Sequence, residues 1–316
     1  MQEQLSDGPG APDPEAVTPE NATGDALATG DIAVSGAAHD PSTAPAPTGG
    51  AAGASASAAA STDVLRDLGF DDDPAPRRRR RVQRTDWRLG GTAVRRWDAI
   101  VLAIALISLG IGAFGSALIS SIWTSPWSGL VSTTALWVGM LFAVVYAFSR
   151  GRPAGLLKLR PVDLLFGVML GLLLRLLQGW VTDAGHQPLP SIATLDGSIP
   201  PTWFLTEALP GGLIAPVVEE FFFRTVLLVV VYTLLRRPAG RFAAALAAVL
   251  VSTATFILMH AVDGSLPLAE ALPLGALGLT CALLVMLTGR IWSAVIVHIV
   301  YNTTMLVIVA AGTILR

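Results

Sequence analysis

Glu219, Glu220 and Arg224 lie inside a long apolar run of the chain, where charged side chains are costly. Each such residue at the centre of a membrane helix costs about 2.5–3.5 kcal/mol even on lenient insertion scales. Two later apolar runs carry His260 and the pair His298 and Asn302. Glutamate, two histidines and asparagine supply a general base, a group that orients water, and two donors for a developing oxyanion. That inventory suffices to hydrolyse an amide without a covalent intermediate.

Helical spacing sorts these residues. Glu220 and Arg224 are four apart, share a face, and can form an ion pair that lowers the cost of burying both. Glu219 points about 100° away and has no such local partner, which leaves it available as the base. The bland alternative for all three is a buried packing clamp, although two acids exceed what one arginine needs. Phe256 and His260 are also four apart, near a helix end where a lone histidine commonly serves as a hydrogen-bonded terminal residue. His298 and Asn302 repeat the spacing deep in the last run. They could donate to one oxyanion, bind a metal-held water, or act as polar glue between helices. Ser252, Thr253 and Thr255 precede His260, but no GxSxG elbow is present, and no HExxH motif occurs. The single cysteine, Cys281, sits in an apolar stretch and reads as a small core residue.

The elements that must position these groups are apolar runs of membrane-crossing length. Spans are expected at 98–122, 129–149, 162–182, 204–235, 241–262, 269–288 and 291–314, an all-α multi-pass bundle of about seven helices. The intervening loops alternate between basic and non-basic. Arg150, Arg152, Lys158 and Arg160 mark the second loop, Arg236, Arg237 and Arg241 the fourth, and Arg290 the sixth. This alternation predicts a cell-membrane protein with a cytoplasmic N-terminus and the 182–203 loop outside. Trp97, Trp123, Trp127, Trp180, Trp203 and Trp292 fall near span ends, where such rings favour the headgroup zone; Trp137 does not. Gly167 and Gly171 have GxxxG spacing, which serves helix contact within one chain as readily as dimerisation. Pro210 and Pro216 predict a kink in the fourth span. A kink, or a tilt, is needed to bring His260, near the end of its span, level with Glu219 and His298. Arg175 and Gln178 in the third span are candidates to line the same region, Arg175 more in a structural than a catalytic capacity.

Ahead of the spans, residues 1–76 form an Ala-, Pro-, Gly-, Ser- and Thr-rich acidic segment. It holds 13 of the 23 acidic residues and one basic residue, Arg66. Such a composition cannot bury enough apolar area to offset chain entropy, so a disordered low-complexity tail is expected, with no signal-peptide core. Residues 77–97 are a basic juxtamembrane segment, with Arg77 to Arg81 unbroken. Its position favours contact with membrane lipid headgroups over nucleic acid, and no nucleic-acid partner is expected. Residues 98–316 form the polytopic domain.

Three motifs in order, E-E-F-F-F-R, F-I-L-M-H and H-I-V-Y-N, together resemble the EExxxR, FxxxH and HxxxN signatures of the CPBP family of intramembrane proteases. That family is also called the CAAX prenyl protease type II or Abi family. The stretch from Thr288 to His298 is similar to the family's segment before its last histidine, and the resemblance covers roughly 98–314. It implies a membrane endopeptidase in which Glu219 and His260 activate water, His298 and Asn302 stabilise the oxyanion, and Glu220 and Arg224 hold the architecture. It also implies a possible zinc on Glu219, His260 and His298, or a metal-free glutamate mechanism. The expected substrate is a membrane-associated peptide or protein. A non-catalytic membrane scaffold or immunity-type protein of the same family is the alternative. A transporter is a third reading, although no inverted repeat is evident.

Overall fold

Helix follows helix from Ala99 to Ile314 in the computed structural model, which describes residues 85–192, 198–261 and 266–315. The acidic segment 1–76 and Arg77 to Arg84 lie outside the described residues. Among the described residues, six helices are long and apolar enough to cross a membrane: α1 (Ala99–Ile122), α2 (Ser128–Arg150), α3 (Pro161–Val181), α5 (Gly240–His260), α6 (Leu268–Thr288) and α7 (Trp292–Ile314). Between α3 and α5 runs α4, helical without a break over 203–235 but not uniformly wound. Phe204–Ala208, Pro210–Ile214 and Phe221–Leu227 are π-helical; Ala215–Glu220 and Leu228–Leu235 are α-helical. Among the described residues there is no strand. The all-α multi-pass bundle is therefore as expected, with span ends displaced by one or two residues.

Local chemistry sets the ends. Asp98 caps α1 by accepting from the Ile100 and Val101 N–H groups at 3.1 and 3.3 Å. Pro161 opens α3, with Asp163 accepting from the Arg160 N–H at 2.8 Å. Gly289, at φ +71°, closes α6 in the left-handed conformation that glycine adopts without strain.

α4 occupies the centre. Every residue from Phe222 to Val230 is at most 1% exposed, the pattern of a helix surrounded on all sides. Outer helices instead turn apolar side chains away from the bundle, as with Phe114, Leu176, Phe242 and Leu287, each more than 70% exposed. Those faces suit lipid.

Small residues let the helices close up. A Cβ at Gly139 would collide with the Ser108 carbonyl oxygen, so α1 and α2 meet backbone to backbone. A Cβ at Gly167 would collide with Ile296 Cγ2, and one at Gly171 would lie 2.9 Å from the Val297 carbonyl oxygen. The GxxxG pair thus packs α3 against α7 within the chain. Trp137, the tryptophan away from a span end, is buried in the bundle.

The end of the bundle bearing the basic loops is sealed by the chain that precedes α1. Trp87 is fully buried, donates to the Gly289 carbonyl at 3.1 Å and meets Tyr232 edge-on at 5.5 Å. Arg88 donates to the Met286 and Leu287 carbonyls at the C-terminus of α6, a favourable place for a cation. Nearby, Arg290 pairs with Asp163 at 2.7 Å, and Ser293 donates to the same carboxylate. The last part of the basic segment is thus docked into the domain as well as basic.

Candidate active site

Glu219 and Glu220 end the α-helical turn Ala215–Glu220 of α4, between two π-helical stretches. Their side chains diverge as the helical period requires. Glu220 is fully buried and its Oε1 stands 3.3 Å from an Arg224 guanidinium nitrogen, the expected ion pair one turn apart. The same Oε1 lies 2.9 Å from His298 Nδ1 on α7. A carboxylate accepts, so Nδ1–H donates, and Nε2 is the atom turned toward the second glutamate.

Glu219 Oε2 stands 3.9 Å from His298 Nε2 and 4.0 Å from His260 Nε2, and has no hydrogen-bond partner of its own. His260 is the last residue of α5, and its Nδ1–H donates to the Phe256 carbonyl one turn earlier at 2.9 Å. Its Nε2 is therefore free to accept. The expected convergence of Glu219, His260 and His298 from three helices is present in the structure.

Phe256 organises the cluster. Its ring is 4.6 Å from the His260 ring, 5.7 Å from the His298 ring, and 4.3 Å beneath the Arg224 guanidinium. Arg224 also donates to the Gly278 carbonyl of α6 at 3.1 Å. A Cβ at Gly278 would come 3.0 Å from Phe256 and 3.3 Å from Arg224, so the glycine makes room for both. Spacing reasoning offered no sign of Gly278, because its role is set by a neighbouring helix.

Asn302 lies one turn beyond His298, and its Nδ2 donates to the Gly211 carbonyl of α4 at 2.9 Å. Arg175 and Gln178 belong to an adjoining cluster on α3. The guanidinium lies 3.9 Å from the Tyr301 ring centre and donates to the Tyr301 carbonyl and to Gln178 Oε1. Ser252 is taken up in structure as well, donating to the Phe223 carbonyl at 2.9 Å. Cys281 is fully buried against Ala294, a core residue as expected.

Residues 201–304 match the family model described as type II CAAX prenyl endopeptidase Rce1-like. The match takes in all three motifs, and the resemblance to the CPBP/CAAX protease family drawn from them is borne out. No curated protein and no solved structure matches the chain. Within the Rce1-like stretch lie Glu219, Glu220, Arg224, His260, His298 and Asn302, together with both π-helical stretches that flank the glutamates.

The zinc that the resemblance allows does not fit these donors as placed. Ligands about 2.0–2.1 Å from a tetrahedral zinc stand about 3.4 Å apart, whereas Glu219 Oε2 is 3.9 and 4.0 Å from the imidazole nitrogens. Among the described residues no three such side chains converge closely enough to hold a metal ion. An oxygen hydrogen-bonded at about 2.8 Å to Glu219 and to either imidazole spans those separations at an angle near 90°.

Proposed function

We propose that this protein is an intramembrane endopeptidase that hydrolyses a peptide bond with a water activated by Glu219 and His260. The observation that carries this reading is the partnerless Glu219 Oε2 facing two imidazole Nε2 atoms at 3.9 and 4.0 Å. A water there donates one hydrogen to Glu219 and the other to His260 Nε2, whose tautomer is set by the Phe256 carbonyl. Glu219 takes the first proton as the water oxygen attacks the scissile carbonyl carbon. The oxyanion accepts from His298 Nε2–H and from the second Nδ2–H of Asn302. As the tetrahedral species collapses, the carboxylic acid of Glu219 returns its proton to the leaving amine, and the C–N bond breaks.

Donation through Nε2 while Nδ1–H is engaged by Glu220 requires a hydrogen on both ring nitrogens of His298. The description of the matched family supports a substrate of CAAX type, a peptide presented at or within the bilayer.

The test uses the purified full chain in lipid nanodiscs with prenylated and unprenylated peptide libraries, wild type against Glu219→Gln. Gln keeps the volume and removes the base, so hydrolysis should fall by about 10²–10⁴-fold with folding intact. Dialysis against a strong chelator should leave the wild-type rate unchanged. Equal turnover by both proteins would end the catalytic reading and leave a scaffold. Loss of activity on chelation, restored by zinc, would replace the metal-free route.

A further inference from the structure

The geometry points to Pro216 as a positioning residue that, through a carbonyl it leaves exposed, holds Asn302 in place to receive the oxyanion. This deepens the protease reading and rests on it for the catalytic consequence. The contact itself, between α7 and α4, stands without it.

Pro210–Ile214 is π-helical, and the Ala215 N–H closes it by donating to the Pro210 carbonyl five residues back. In that register the Gly211 carbonyl would next receive the N–H of residue 216, which is proline and has none. One π turn followed by one proline therefore leaves the Gly211 carbonyl without the donor of that register. The gap is met from α7, where the next residue also reaches α4. Asn302 Nδ2 donates to Gly211 at 2.9 Å, and Thr303 Oγ1 donates to Gly212 at 3.4 Å. The approach is close, since a Cβ at Gly212 would lie 2.9 Å from Leu306 and 3.4 Å from Thr303 Oγ1.

Asn302 has two Nδ2–H groups. Binding one to a backbone carbonyl fixes the carboxamide plane and leaves the second to donate elsewhere. A side chain held this way stays oriented between turnovers, which is what lets an oxyanion donor act without reorganisation. Pro216 stands three residues before Glu219, so one local device sets where α-helical winding resumes ahead of the base and also locks the donor. Irregular backbone at membrane depth is tolerated where protein satisfies it, and here the satisfying groups are Asn302 and Thr303.

The test is a double-mutant cycle of Pro216→Ala and Asn302→Ala in the full chain. Replacing the proline restores an N–H that competes for the freed Gly211 carbonyl, so Pro216→Ala should melt at or above the wild-type temperature. Asn302→Ala should lower the melting temperature by about 2–4 °C in the wild type, where a carbonyl loses its donor, and by less than half of that in the Pro216→Ala background. In the peptidase assay Pro216→Ala should lower kcat by about tenfold or more with KM within about twofold. Asn302→Ala should cost about 10²–10³-fold in the wild type and under tenfold when combined with Pro216→Ala. Equal melting shifts in both backgrounds would overturn the contact, whether or not any peptide is cleaved. Coupled melting shifts with an unchanged kcat for Pro216→Ala would overturn the catalytic half alone. If displacement of Glu219 were the cause of a lowered kcat, Asn302→Ala would keep its full cost in the Pro216→Ala protein, and that result sinks the positioning role.

Discussion

Two adjacent glutamates of identical chemistry are given different work by about 100° of helix rotation. Glu220 points its Oε1 at Arg224 and His298 and is sealed; Glu219 points its Oε2 at the two imidazole Nε2 atoms. Replacing Glu220 with Gln leaves Arg224 as a fully buried cation without its counter-ion, and breaking a buried pair from one side costs about 3–5 kcal/mol. Thermal stability in detergent should fall accordingly. Adding Arg224→Met should recover part of the stability by removing the orphaned charge. Activity should stay low in the double variant, because the carboxylate that receives His298 Nδ1–H and orients its ring is gone. A double variant that regains wild-type turnover would confine Glu220 to architecture. Glu219→Gln fully active beside a folded but inactive Glu220→Gln would invert the two roles.

At the scale of elements, the seam between α3 and α7 sets the azimuth of His298 and Asn302, since Ile296, Val297 and Val300 face the two glycines of α3. The two glycines differ in what stands opposite. At Gly167 the obstacle to a Cβ is the Ile296 side chain, met through both Cγ2 and Cβ, whereas at Gly171 it includes the Val297 backbone oxygen at 2.9 Å. Gly167→Ala should therefore destabilise the protein and be rescued in part by Ile296→Gly, which removes both the Cγ2 and the Cβ. Gly171→Ala should resist rescue by Val300→Gly, because the Val297 carbonyl remains. Melting curves of the four variants check this, and rescue at both positions would show that the backbone approach is not limiting. The state of association should not change in any of them, since the glycine pair is used within the chain.

For the whole molecule, the boundary that matters is set by docking rather than by charge. A chain beginning at Pro76 keeps Trp87 and Arg88 and should insert, melt and cleave as the full protein does. Removal of residues through Leu89, or Trp87→Ala, should instead cost about 3–5 kcal/mol, the usual worth of a buried tryptophan, because Trp87 is fully buried against Gly289 and Tyr232. Equal stability of the two truncations would show that this contact contributes nothing. Orientation is expected from the alternation of basic loops. A cysteine at Ser191 should be labelled by an impermeant reagent from outside, and one at Ala154 should not. The reverse pattern would turn the bundle over.

The sequence by itself determined what depends on periodicity along one helix. The apolar runs located the spans to within one or two residues, and the i, i+4 spacings identified the Glu220–Arg224 pair and the shared face of His298 and Asn302. The order of three motifs carried the resemblance to the CPBP/CAAX protease family. Tertiary structure alone decided what depends on the rotation and depth of one helix against another. Glu220 reaching His298, Phe256 seated under Arg224 between the two histidines, Gly278 making space for them, and Asn302 held by Gly211 all join residues on different helices. The physical reason lies in the solvent. In a bilayer, lipid tails are as apolar as the neighbouring helix, so an apolar face does not announce whether it meets lipid or protein. The hydrophobic pattern that orients helices in water is silent here, and small residues and a few polar contacts choose the partners instead. The two prolines of α4 were legible as a kink. Where α4 winds as a π-helix, and that its Gly211 carbonyl would be met from α7, became determinate only once α7 was packed against it.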